Sequence, residues 1–117
     1  MGLKDVDVAV SAAVLDLLLG RAVVLSADGD ELIAQATGEA AGIAMLLAAE
    51  NPPSGEISWT GLESMDLPAC IEAVALEVDR WGVELELAHP AVTELSVMVG
   101  DLWLRLGALA GSGAGPV

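Results

Sequence analysis

The chain has 117 residues, which fits one domain with a single core rather than two. Apolar residues make up 55% of it, which excludes general disorder. Acidic side chains outnumber basic ones by 18 to 4, and the resulting formal charge of −14 excludes direct binding to a phosphate backbone and favours partners with basic patches. Phe and Tyr are absent, so the core is expected to be built from Leu, Val, Ile, Ala and Met. The apolar run "VLDLLLGRAVVL" is interrupted by Asp16 and Arg21, and no stretch reaches the roughly 18 uncharged residues of a membrane-crossing helix. Asp5 and Asp7 do not suit the basic start of a secretory signal. The single Cys70 offers neither an intramolecular disulfide nor a zinc cluster, which fits a reducing cytoplasm.

Turn-forming residues divide the chain. Residues 4–19 carry Val6, Val10, Val14 and Leu17 at spacings of three and four, which predicts an amphipathic helix ending at Gly20. In "RAVVLSADGDELIAQ", Asp28-Gly29 between two apolar runs suits a hairpin turn. The same letters permit a helix from about Asp28 or Asp30, with Leu32, Ile33, Ala36, Ala40, Ile43 and Leu47 on one face. Periodicity favours the helix after Thr37. Pro52 and Pro53 in "NPPSGEISW" break it. From Leu67, the recurrence of Ile71, Val74, Val78 and Trp81 predicts a helix of about four turns, stopped by Gly82. An extended piece, "VELELAHP", then leads to a last helix marked by Leu95, Val99, Leu102, Leu106 and Leu109.

One hydroxyl stands out in this pattern. In "GLESMDL", Ser64 lies between Glu63 and Asp66, where a loop enters a helix. Residues of both types are good helix caps, so the stretch by itself admits a purely structural reading. If Ser64 were the cap, Pro68 would lack the amide that closes the first helical hydrogen bond; with Asp66 as cap, Pro68 falls in the first turn, where it is tolerated.

Residues 57–107 resemble the acyl carrier proteins and related carrier domains of fatty acid, polyketide and peptide synthesis. That family has a Gly-x-Asp-Ser-Leu-like segment at the start of its second helix, and Gly61, Ser64, Met65 and Asp66 stand at the matching positions, with Glu63 in place of the Asp. "LEVDRWGVELE" is similar to the acidic helix end and following Gly-Ile/Val-Glu-Ile segment, and "VGDLWLRL" to the last helix. The resemblance implies an all-α, four-helix carrier-like bundle over residues 37–110. Residues 1–36 would form an added helix or hairpin, and 111–117 a flexible tail. It implies 4′-phosphopantetheine on the Ser64 hydroxyl, attached by a separate phosphopantetheinyl transferase, on a carrier that is not itself an enzyme. Glu63, Met65, Asp66, Glu72 and Asp79 would dock ketosynthase, acyltransferase or ligase enzymes through their basic patches. No nucleic acid, membrane or metal enters this reading.

Plainer readings stand beside it. The acidic helix face is equally consistent with a solvated surface. Cys70, on the apolar stripe, reads as a buried thiol, Trp81 as a core anchor, and His89 as a loop residue without a metal-ligating partner. "AVVLSADGDELIAQ" resembles the opening of the Roadblock/LC7 fold, a dimerising scaffold that needs further strands downstream. A carrier-like fold used unmodified as an interaction module is the remaining alternative.

Overall fold

The structure is a computed structural model that describes residues 3–114, with side chains from 8 to 107. It is all-α. Four long helices, α1 (Leu3–Ser26), α2 (Glu31–Glu50), α3 (Leu67–Ala88) and α4 (Val92–Ala114), are joined by two tight turns and one long loop that contains a short 3₁₀ turn at Leu62–Ser64. α1 packs on α2 and α3, and α4 packs on the same two helices, so the four close into a bundle with α1 diagonal to α4. Arg21, near the end of α1, meets Glu63 just before α3, and Glu50, at the end of α2, meets His89 at the end of α3. Every packed pair of helices is therefore antiparallel, and the loop 51–66 must travel the length of the bundle to start α3 at the same end as α2.

α1 does not stop at Gly20. The stripe formed by Leu15, Leu18, Leu19 and Ala22 is buried on both sides of it, and the energy of that burial exceeds the roughly 1 kcal/mol by which a mid-helix glycine is disfavoured. The inward face is also rotated from the expected one: Val14 is buried, but Val10 is exposed and Leu17 only half-buried, while Val6 lies outside the described side chains. α1 is apolar nearly all round, so several three-and-four spacings fit its sequence equally well. Contact with two helices chose among them.

Asp28-Gly29 makes a tight connection between helices rather than a hairpin. Asp30 caps α2, its Oδ1 accepting from the amides of Leu32 at 2.9 Å and Ile33 at 3.2 Å. No strand forms among the described residues, so the mixed fold that a Roadblock/LC7 scaffold requires is not built. The face of α2 that is buried runs through Ile33, Thr37, Ala40, Ala44 and Leu47, leaving Leu32 exposed. Thr37 satisfies its hydroxyl locally by donating to the Ile33 carbonyl at 2.6 Å.

α3 likewise runs through its expected stop at Gly82 and turns the expected extended piece into two more helical turns. Leu85, seven residues after Val78, continues the buried stripe and is itself fully buried. The effective stop is Pro90, which holds His89 in the extended region at φ −155° and ψ 114°. α4 buries Val92, Leu95, Val99 and Leu102, with Leu106 half-buried, and the side chain of Leu109 lies outside those described. Its backbone stays helical through Ala114, so most of the expected tail belongs to the helix, and residues 115–117 lie outside the described range.

One polar cluster fixes α1 against α3. Glu77 Oε2 accepts from Ser11 Oγ at 2.6 Å and from the Trp81 indole at 2.9 Å, while Oε1 lies 3.8 Å from Arg80, whose guanidinium sits 5.3 Å from the centre of the Trp81 ring. The part-buried carboxylate is thus held by donors from both helices.

By length and composition alone, Val8–Ser26 (mean hydropathy 2.1) and Glu31–Glu50 (1.5) are apolar enough to cross a membrane; here they pack side by side within the bundle.

Gly20 and Gly82 have helical backbones, and a Cβ on either meets nothing within 4 Å. Gly20→Ala and Gly82→Ala are each expected to stabilise the protein by ~0.5–1 kcal/mol in denaturant unfolding. A glycine that ended its helix in the left-handed region would give the opposite sign.

Candidate functional site at the Ser64 turn

The turn begins at Gly61, whose φ of +83° lies in the left-handed region that side chains disfavour. Gly61 is the one described residue with positive φ, and it sets the direction of everything up to α3. Its carbonyl accepts from the Ser64 amide at 3.0 Å and from Ser64 Oγ at 3.1 Å. The Leu62 amide donates to the Trp59 carbonyl at 3.2 Å and the Met65 amide to the Leu62 carbonyl at 3.1 Å, winding the turn tightly. Ile57, Trp59, Leu62 and Met65 point inward, half-buried against the core, and anchor the loop while Glu63 and Ser64 face solvent.

Asp66 is the cap of α3. Its Oδ1 accepts from the Ala69 amide at 2.9 Å, and Pro68 falls in the first turn. Ser64 is left two residues upstream with no capping duty. Its hydroxyl engages a carbonyl, which cannot take a proton, so the turn displays a hydroxyl without activating it.

The expected docking residues divide by burial. Glu63, Asp66, Glu72 and Asp79 are exposed, the last two seven residues apart on the outer face of α3, whereas Met65 is half-buried against the core. The Gly-Val-Glu-Leu segment at 82–85, matched above to the Gly-Ile/Val-Glu-Ile segment of the carrier family, lies inside α3. His89 is far along the bundle: its Nδ1 accepts from the Ala91 amide at 3.1 Å and its Nε2 is 3.9 Å from Glu50. Among the described residues, no group of three or more His, Cys, Asp or Glu is placed to hold a metal.

Arg21 is the site residue that sequence reasoning missed. From α1 it donates through a terminal nitrogen to the Glu63 carbonyl at 2.9 Å, across 42 residues of chain, while its Nε is buried without a partner. The signal was present as a guanidinium in the middle of "LLLGRAVVL", read above only as an interruption. One turn into α3, Cys70 is fully buried. Burial pushes its thiol pKa up; the nearby Arg21 charge partly opposes that and Asp66 adds to it.

No family model, curated protein or solved structure matches the chain.

Gly61→Ala is expected to cost about 1–2 kcal/mol because of its backbone angle, and Asp66→Ala about 1 kcal/mol as a lost cap. Ser64→Ala, losing one exposed hydrogen bond, should change stability by less than about 0.5 kcal/mol in the same denaturant titration. Equal losses at Ser64 and Asp66 would show that the serine carries structural load.

Cys70 should react with a thiol reagent only as fast as the protein opens, and at the free-thiol rate once unfolded. Since its folded pKa is raised, the folded state holds the proton longer than the unfolded state. Stability contributed by the neutral thiol is full below the unfolded pKa and declines as pH rises through and beyond it, which unfolding measured across the alkaline range would register.

Proposed function

We propose that the chain is an acyl carrier, bearing 4′-phosphopantetheine on Ser64 and working in the cytoplasm with separate synthase enzymes. The observation that carries this reading is the division of labour at the turn: Asp66 caps α3, and Ser64 stands exposed beside it with its hydroxyl donating to the Gly61 carbonyl. The residues fit the group, since an exposed hydroxyl on a solvent-facing turn is open to a phosphodiester and a long arm. When attached, that arm supplies a thiol that holds acyl groups as thioesters.

The chain's own part is to present and to steer. Gly61 and the inward anchors Trp59, Leu62 and Met65 fix the turn, and Arg21 ties it to α1. Glu63, Asp66, Glu72 and Asp79 surround the turn and continue along the outer face of α3, an acidic track suited to basic patches on a phosphopantetheinyl transferase and on ketosynthase, acyltransferase or ligase partners. Activation of the hydroxyl falls to the transferase, because among the described residues no general base is hydrogen-bonded to it. A non-catalytic interaction module is the second reading, supported by large apolar side chains left exposed on α3 and α4.

Incubation with coenzyme A and a broad-specificity phosphopantetheinyl transferase, followed by intact-mass measurement, is expected to show one phosphopantetheine adduct that Ser64→Ala abolishes. An unmodified wild-type mass with several competent transferases would favour the interaction module.

A further inference from the structure

Several large apolar side chains stay out of the core on α3 and α4, Leu87 and Trp103 among them. Leu76 and Val83 on α3, and Val97 and Leu104 on α4, are each between 64% and 71% exposed. On both helices the two are seven residues apart, so each pair forms one stripe two turns long. The helices are antiparallel neighbours, and between them runs a groove of about 570 Å³, lined from Ala75 to Glu86 on α3 and from Val92 to Gly100 on α4. Its floor is the buried surface of Val78, Val92 and Val99. Gly82 and Gly100 keep its walls low, with open space where a Cβ would stand. The stretch from Ala75 to Glu86 rises about 16 Å, the length of three helical turns.

Charge selects the occupant. Asp79 and Glu86 line the groove, no Lys or Arg among the described residues lines it, and Glu72 and Glu94 are exposed on the same two helices. A second copy would set the same acidic rim against itself, with −14 on each chain. An anionic lipid surface is repelled for the same reason.

We propose that the α3–α4 groove docks an amphipathic helix of a partner protein, one whose apolar ridge is flanked by Lys or Arg. The ridge fills the groove against Leu76 and Val97, above the floor of Val78, Val92 and Val99, and the flanking cations meet Asp79 and Glu86. This site uses neither Ser64 nor its modification but shares Asp79 with the acidic track above, so peptide binding is measured on the unmodified chain and scored apart from the mass shift at Ser64.

The test titrates the unmodified full chain with synthetic helical peptides that share a Leu ridge at i, i+3, i+7 spacing, one series flanked by Lys and Arg and the other by Glu. Calorimetry is expected to show binding of the basic series alone, weakening as salt rises. Gly100→Trp, which fills the open space, should weaken it at least about tenfold, as should Val97→Asp, an exposed position that serves if the first variant does not fold. Asp79→Lys should weaken binding and flatten its salt dependence, with circular dichroism showing each variant helical. Failure of every basic peptide to bind, equal binding of the Glu series, or affinity untouched by the groove variants would overturn the proposal. So would sedimentation showing a self-associated chain that Gly100→Trp converts to monomer.

Discussion

The burial of α1 governs the rest of the molecule. Leu15, Leu18 and Leu19 have no exposed surface, and each fully buried leucine contributes on the order of 1.5–3 kcal/mol before the cost of ordering the chain. A helix this apolar needs cover on more than one side. α2 supplies one side with the small Ala40 and Ala44 facing inward, and α3 supplies the other with Ile71, Val74 and Val78. Two hydrogen bonds then set how far α1 can slide against its α3 side. Ser11 is tied to Glu77 and Arg21 to Glu63, ten residues and about 15 Å apart along α1. The placement of the Ser64 turn is therefore a consequence of how α1 is buried as much as of the local "GLESMDL" sequence.

The sequence was most legible where one residue type has one mechanism. Asp66 as the cap of α3, Pro68 in its first turn, the apolar stripe from Ile71 to Val78 and the break at Pro52-Pro53 follow from local stereochemistry, and all are present in the structure. Glycine misled at Gly20 and Gly82, because it ends a helix only where the chain can turn aside without losing burial, and Leu85 and Ala22 lie beyond those points on the core face. Pro90 is the firmer signal, since its ring restricts the preceding residue whatever the packing. The rotation of α1 and the reach of Arg21 to Glu63 could not be read at all. Both depend on which helices become neighbours across tens of residues; the guanidinium inside an apolar run marked Arg21 as unusual but did not point to Glu63.

Charge is distributed unevenly along the helices themselves. Asp30 and Asp66 cap α2 and α3, where a negative side chain complements the helix dipole. None of the four helices carries a basic residue in its last turn, and α3 ends with Glu84 and Glu86 close to its own negative pole. The last two turns of α3, from Gly82 to Ala88, thus carry negative charge with no Lys or Arg among them. Cations from another molecule would reduce that repulsion as they bind, a gain that adds to any apolar contact made in the same place.

The loop from Asn51 to Asp66 has no long-range order of its own. It is held by half-buried side chains that need the assembled core and by a guanidinium from a helix 42 residues earlier in sequence. An unfolded or half-assembled chain cannot hold Gly61, Ser64 and Asp66 in this arrangement. Recognition of the shape of the turn rather than its letters would therefore discriminate between finished and unfinished molecules.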